Sequence, residues 1–278
     1  MQILNPSFNI VSPNTDTADC SLLIEISGPG VSFIVINADN HCSALSVYHF
    51  DAGTSPDKVG NYLNDIAASQ SILQQQFKKI NFVYAFAASV LVPQLFINAT
   101  ANRGMLELVY GDSTEGIVRN DFINQHKFHN IYSVPKQVDW EIANLFLHGS
   151  HHHLYSLLAQ ISKPTGNHLY CIFSITQITV QLLKEGQLQV IQSFDFKEPA
   201  DAIYHLLNVC ERFEVNINET VVHLNGMIDA DSNLYHELYK YMAHPVFEVL
   251  PNTFTYDEEI KKYPAHYFSH LFELATCV

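Results

Sequence analysis

The residues best equipped for chemistry in this 278-residue chain are the histidines of "HGSHHH" (His148, His151, His152, His153), five cysteines and a few carboxylates on apolar stretches. Imidazole binds zinc well, but a structural zinc site needs four ligands converging as a tetrahedron. Consecutive side chains leave a regular backbone in different directions, so at most two of these histidines share one ion. No cysteine or carboxylate adjoins them to complete a set, and no metal is assigned. Cys20, Cys42, Cys171, Cys210 and Cys277 are scattered, with no C-x-x-C pair. An odd, scattered count fits reduced thiols in a cytoplasmic protein better than a disulfide framework. Cys20, Cys42 and Cys210 fall in strand or helix patterns that read as core, and Cys277 reads as a mobile thiol rather than a nucleophile. There is no G-x-S-x-G elbow. A two-metal nuclease needs several carboxylates on its central strands, and "LLIEIS" and "FVYAFA" offer only Glu25.

The elements that would position such residues are legible in the apolar pattern. "SLLIEIS", "VSFIVIN" and "CSALSVYHFD" are three short strands joined by the turns "GPG" (Gly28-Pro29-Gly30) and "ADNH", an antiparallel meander. "SPDKVGNYLNDIAASQSILQQQFKK" reads as one helix, with Ser55 as its cap and Pro56 at its first position. Lys78 and Lys79 suit the negative end of its dipole. "INFVYAFA" has the length and apolarity of a central strand covered on both faces, and "SVLVPQLF" is a short helical turn after it.

The same order recurs from residue 168. "HLYCIFS", "ITVQLLK" and "QLQVIQSFDF" are strands, with "EGQ" a hairpin turn. "EPADAIYHLLNVCERF" is a helix, "TVVHLNG" an apolar strand and "SNLYHELYKYMA" an amphipathic helix. Phe50-Asp51 is matched with Phe194-Asp195, and "FVYAFA" with "VVHLNG". Between the copies, "MLELVYGDSTEGIVRNDFINQHKFHNIYSVP" carries strand-like runs around the loop "GDSTEG", and "KQVDWEIANLFLHG" is a helix. This gives an α/β protein of two domains, 1–163 with a strand-and-helix insertion at about 100–150, and 164–278, meeting at "ISKPTGN". The last stretch holds a strand-like "VFEVL" and an aromatic helix "AHYFSHLFELA".

Composition excludes several partners. Charged residues are 15% of the chain, and 28 acidic against 14 basic residues give a formal charge of −14. Nucleic-acid binders neutralise phosphates with clustered Lys and Arg; the longest basic runs are Lys78-Lys79 and Lys261-Lys262, so neither nucleic acid nor an anionic membrane is expected. The N-terminus lacks the pattern of a signal peptide, and no run approaches the ~18 apolar residues that span a bilayer. A cytoplasmic protein is expected.

A three-stranded meander followed by alternating helices and parallel strands resembles the ribonuclease-H-like unit. Two in tandem, with mixed sheets, resemble the actin-like ATPase fold of sugar kinases, heat-shock chaperones and bacterial actins. From about residue 20 to 278 the chain is similar to an uncharacterised bacterial family, a domain of unknown function with that fold, in phrases such as "YCIFSITQITVQLL" and "VVHLNGMID". The resemblance implies fold and bacterial origin and brings no assigned activity.

It does imply a place to look. In working members of the fold a Gly-rich first hairpin in each domain grips ATP phosphates through backbone N–H groups, and an Asp at the end of each first strand helps to hold Mg²⁺. Here "IEISGPGVSF" has two glycines, but Ile26 and Ser27 stand where the Asp would be. Glu25 is a residue or two early, which on a strand is the opposite face, and Pro29 removes one N–H. "CIFSITQITV" has neither glycine nor carboxylate, with Thr176 and Gln177 in its turn. The chain has 11 glycines, roughly 4% against a norm of ~7%. In "HLNGMIDADSN", Asn225-Gly226 can admit a base, or Gly226 simply makes a tight turn and Asp229, Asp231 or Ser232 caps the next helix.

The expectation is therefore a non-catalytic, pseudo-ATPase binding or scaffold protein without cofactor. Its partner is an unknown protein, meeting it at the inter-domain cleft or at the aromatic C-terminal surface, and a homo-oligomer is possible. The competing reading is a divergent nucleotide-binding protein or ATPase, taking ATP with magnesium on Ser27, Gly28, Gly30, Asn225 and Gly226, with Glu25 beside them. An unfamiliar small-molecule enzyme in the cleft stays open.

Overall fold

The computed structural model describes residues 4–12, 16–97, 102–111, 116–161 and 164–278. The loop read at "GDSTEG" and the boundary at "ISKPTGN" lie partly outside the described residues. Chain contacts separate two compact units, residues 1–160 with 253–260, and residues 161–252 with 261–277.

The first unit contains β1 (Phe8–Val11), β2 (Ser21–Ile26), β3 (Gly30–Ile36), β4 (His41–His49), α1 (Pro56–Ser69), β5 (Lys79–Tyr84), β6 (Ser89–Pro93), α2 (Asn102–Tyr110), β7 (Ile117–Ile123), β8 (Phe128–Val134), α3 (Lys136–Leu145), β9 (Ser150–His153) and α4 (Leu154–Leu158). In the second are β10 (His168–Phe173), β11 (Gln177–Lys184), β12 (Gln187–Asp195), α5 (Pro199–Arg212), β13 (Val221–Gly226), α6 (Asn233–Tyr239) and β14 (His244–Phe247). The chain then adds β15 (Thr255–Tyr256), paired in parallel with β4, and α7 (Glu258–Lys261), and ends in α8 (Ser269–Ala275).

Each unit has one sheet in the same order. The first runs β1-β4-β3-β2-β5-β9 and the second β12-β11-β10-β13-β14. Strands one to three of each meander are antiparallel, and the strand after the first long helix lies parallel to strand one. Even the irregularities coincide. The register shifts between Val35 and Ile36 in one unit and between Leu182 and Leu183 in the other, leaving Ser43 and Gln189 as equivalent bulge residues. Closing bonds equate further positions: Phe50 N–H reaches Pro29 O as Phe196 N–H reaches Thr176 O, and Ala85 N–H reaches Ile26 O as Met227 N–H reaches Phe173 O. The true counterpart of Phe50 is thus Phe196, two residues beyond the sequence match, and Tyr84 is the counterpart of Gly226. Matching by residue type failed there because hydrogen-bond register, rather than side-chain identity, is what the units share.

The cores follow from the sheets. Ile24, Ile26, Phe33 and Phe82 join Val59, Leu63 and Ile66 of α1 in the first unit, and Cys171, Phe173 and Leu224 join Ala202, Leu206 and Val209 of α5 in the second. Burying chains of this size contributes roughly 1.5–3 kcal/mol each.

Some local readings are corrected. α1 stops at Ser69, because Gln70 turns extended and the Gln74 side chain donates to the end carbonyls of Ala67 and Ala68. Lys79 instead opens β5. Ser55 holds the N-cap position without a side-chain bond. "SVLVPQLF" is β6 before a 3-10 turn, Gln94–Phe96. "MLELVY" belongs to α2, anchored when Tyr110 Oη donates to the carbonyls of Ala87 and Ser89. The insertion spans β6 to β8, a three-stranded sheet in the order β6-β8-β7.

Gly226 has φ +79°, and a Cβ there would stand 2.1 Å from Phe173 O, the atom that accepts Met227 N–H at 2.7 Å. At Gly28 a Cβ would meet nothing within 4 Å. Gly226→Ala is expected to cost about 3 kcal/mol or more and Gly28→Ala to change stability by less than about 1 kcal/mol, read by urea denaturation. Equal effects would contradict this geometry.

Candidate functional site

Ser27, Gly28 and Gly30 share the β2–β3 turn, and Ser27 and Gly30 are bonded to each other across it. Ser27 Oγ accepts Gly30 N–H at 3.1 Å and donates to Gly30 O at 2.9 Å. Gly30 is required by close approach, since its Cβ would lie 2.2 Å from Tyr48 O. The second unit repeats the device. Ser174 Oγ accepts the N–H groups of Thr176 and Gln177 at 3.3 and 2.9 Å and donates to Gln177 O at 3.0 Å. A serine hydroxyl in each turn therefore holds amides that could join an anion nest, that of Gly30 in the first and those of Thr176 and Gln177 in the second. The Ser174 counterpart was visible in the sequence, as a serine directly after strand one in both units. Glu25 points away from the face on which Ile24 and Ile26 enter the core.

Asn225 and Gly226 stand together at the end of β13. Asn225 is buried, and its Oδ1 accepts Ser269 Oγ at 2.5 Å. Ser232 caps α6 by accepting Tyr235 N–H at 3.1 Å. Of the aromatic C-terminal residues, Phe268 and Phe272 are buried, whereas Tyr239, Tyr241 and Tyr263 are exposed.

His151, His152 and His153 close β9 and His148 precedes it, so His152 faces away from the other two strand histidines. His153 is fully buried. Its Nδ1 accepts Tyr155 N–H at 3.1 Å, which leaves Nε2–H to donate to Phe86 O at 3.0 Å. Burial lowers its pKa to about 4, against which the Phe86 bond acts weakly. Asp121 accepts His153 N–H at 2.8 Å and Tyr132 Oη–H at 3.1 Å. Among the described residues no group of three or more His, Cys, Asp or Glu is placed to hold a metal ion. Burial also raises the Cys20, Cys42, Cys171 and Cys210 thiols, Cys42 to about 12, which removes nucleophilic character.

His151, two residues earlier on the same face as His153, belongs to a pocket within the first unit. It is about 260 Å³, walled by Phe82, Ile142, Phe146 and Leu147, with Arg119, Asp139 and His148 as further lining. Arg119 donates to Asp139 at 2.6 Å, and its guanidinium sits 5.9 Å from the Tyr84 ring centre. Tyr84 Oη and His151 Nδ1 are 2.8 Å apart, their rings stacked at 7°. Burial, then the Arg119 charge, lowers the His151 pKa, while burial raises that of Tyr84 against the pull of Arg119. Near neutrality the pocket is therefore lined by a neutral imidazole, itself hydrogen-bonded to the protonated Tyr84 phenol, and by a charge-balanced ion pair. It offers apolar walls and hydrogen-bonding groups. Its volume is below the ~300–1,000 Å³ of small-molecule sites. No sequence signal marks it, because its members come from β5, β7, α3, β9 and the turn between the last two, which only the fold assembles.

Residues 12–244 match the model of a family described as a protein of unknown function, DUF3822. No curated protein matches the chain at a significant level. Among solved structures it is similar to a Bacteroides thetaiotaomicron protein with actin-like ATPase fold and unknown function, at TM-score 0.75 and 18% identity, over 94% of this chain and 97% of that one. It is also similar to the PilM-PilN type IV pilus biogenesis complex, at TM-score 0.61 and 12% identity, over 92% and 97%. A third likeness is to the ethanolamine utilization protein EutJ from Carboxydothermus hydrogenoformans, at TM-score 0.51 and 7% identity, over 97% and 93%. The fold is the actin-like ATPase fold expected from the doubled meander. Among the described residues no helix is long and apolar enough to cross a membrane.

His153 sets a pH dependence. Unfolded, it takes a proton near pH 6.5; folded, not until about 4. The unfolded state thus binds more protons between those values, so stability is full above pH 6.5 and falls as pH drops toward 4, by on the order of 3 kcal/mol from this group. In urea denaturation from pH 7.5 to 4.5, His153→Gln is expected to flatten the slope; an unchanged slope would remove His153 as its source.

Proposed function

This chain belongs to the DUF3822 family of proteins of unknown function, and we propose that it is a non-catalytic, protein-binding scaffold built on the actin-like fold. The observation that carries the reading is the paired serine closure of the two first hairpins. For phosphate to be gripped by these amides, Ser27 must release that of Gly30 and Ser174 those of Thr176 and Gln177, and neither turn offers a carboxylate on the matching face for a cation.

The pocket of the first unit supports the binding half of the proposal. Its size suits one or two side chains of a peptide better than a nucleoside triphosphate. Its apolar walls take an aliphatic or aromatic side chain, while Arg119 and His151 hydrogen-bond to the adjoining backbone. Leu147, fully exposed, is part of its lining, and Trp140, 59% exposed, follows the lining residue Asp139 on α3; such apolar residues in the open are what a partner covers. The similar PilM-PilN structure is a protein–protein complex, which supports partner binding as a use of this scaffold.

Titration calorimetry with ATP and Mg²⁺, alongside a phosphate-release assay, is expected to give neither heat nor turnover. Micromolar, magnesium-dependent binding would restore the nucleotide reading. Gly226 variants are unsuitable controls, since they break the turn. In cells, a photo-crosslinker at Leu147 is expected to give a discrete protein adduct that is lost with Ala143→Trp, which fills the pocket from an exposed helix position. An adduct indifferent to that change would move the contact elsewhere.

A further inference from the structure

The two units part company at one sheet edge. In the first, the outer side of β4 is covered by the chain itself. β1 runs antiparallel along Ala44–Val47, and β15 pairs at His41 and Cys42. Ser7 N–H donates to Val47 O at 2.8 Å and Ser12 N–H to Ser43 O at 2.9 Å. In the second unit β12 is the counterpart of β4, and among the described residues it pairs with β11 alone.

That edge carries few of the devices that blunt a free strand. Gln187–Phe194 contains no proline, no lysine and no charge, although charges, prolines and bulges are the usual protection. Its one bulge, at Gln189, leaves Val190–Asp195 in unbroken register with β11. Parity is fixed by the equivalent bonds. The Phe50 and Phe196 amides point inward to the neighbouring strand, while the odd-numbered Ser43 and Val47 carbonyls of β4 point outward. On β12 the outward positions are therefore also odd-numbered, Ile191 and its alternate neighbours.

We propose that this edge pairs antiparallel with β12 of a second copy of the chain, about a two-fold axis at Gln192. A two-fold pair must set residues of like parity opposite one another, and an axis at Gln192 keeps Val190–Phe194 of both copies clear of the bulge. Val190 then meets the second copy's Phe194, two side chains that already pack on the core beside α5, so the apolar layer continues across the join. Ile191 meets Ser193, and Gln192 meets itself. Asp195 falls opposite Gln189 rather than another carboxylate. The chain as a whole is at −14, yet the paired strip is neutral, so repulsion is least where the copies meet. The β1 strand on β4 is the precedent within the same molecule.

Sedimentation velocity on the full chain over a concentration series tests this. Wild type is expected to dimerise with concentration. Gln192 is exposed, so Gln192→Lys and Gln192→Glu should keep the native circular dichroism, yet each should weaken the dimer roughly fivefold or more by placing like charges face to face. Mixing the two variants should restore dimer as a heterodimer. A wild type monomeric throughout, a dimer untouched by Gln192→Lys, or no recovery on mixing would each overturn the proposal; the first would leave the edge to a foreign strand or to none.

Discussion

A backbone amide in a tight turn makes one good hydrogen bond, and whichever group accepts it decides what else the turn can hold. In this chain the acceptor is a serine hydroxyl placed directly after the first strand of each unit. Ser27 takes the amide of Gly30, and Ser174 takes those of Thr176 and Gln177. Each hydroxyl also donates back to a carbonyl three residues on, so the turn is closed from both sides. A ligand phosphate would have to displace an intramolecular acceptor that is already in place and costs no association entropy. Two glycines beside Ser27 do not change this, because Gly30 is used to bring β3 close to Tyr48 O. Glycine in a hairpin is thus weak evidence for phosphate binding until the acceptors of its neighbours are known.

The same closure explains how the two units stay alike in backbone while differing in chemistry. Sheet order, the bulge at Ser43 and Gln189, and the bonds that end each strand coincide. Those features depend on backbone register and tolerate almost any side chain. At the end of the fourth strand of each meander-and-crossover the units diverge. Gly226 turns the chain sharply, whereas its counterpart Tyr84 projects a phenol that meets His151 at 2.8 Å and lies beneath Arg119. One position, held by equivalent backbone bonds, makes a turn in one unit and the wall of a polar network in the other.

This is also why the fold was more legible than the site. "SLLIEIS", "VSFIVIN" and "HLYCIFS" announce strands through β-branched and aliphatic density, and the two long helices through Pro56 and Pro199 at their first turns. The order of these elements sufficed for the architecture. What failed was local competition. Gln74 reaching back to Ala67 and Ala68 ended α1 early, a side-chain bond that apolar periodicity does not encode. "MLELVY" has the composition of a strand and becomes helix because Leu106 and Tyr110 find partners on β6 and β8. β1 and β15 are too short to carry a pattern, and exist because β4 offers them an edge. The pocket was illegible for a further reason: Arg119, Asp139 and His151 are each unremarkable in sequence and meaningful only at a distance of a few ångströms.

The histidine run shows how burial redistributes chemistry along four residues that look equivalent. As a strand, β9 sends His153 inward, where a single amide donor at Nδ1 fixes the tautomer and the lost hydration holds it neutral. His151, on the same face but two residues nearer the start of the strand, stands against an aromatic wall and a cation, where it is also kept neutral but borders a pocket. A metal would require further ligands to converge with these rings, and among the described residues no group of three or more His, Cys, Asp or Glu is so placed. The run therefore serves packing at one residue and hydrogen bonding at another. That division follows from position along β9, which lies parallel beside β5, with His151 opposite Phe82 and His153 opposite Tyr84.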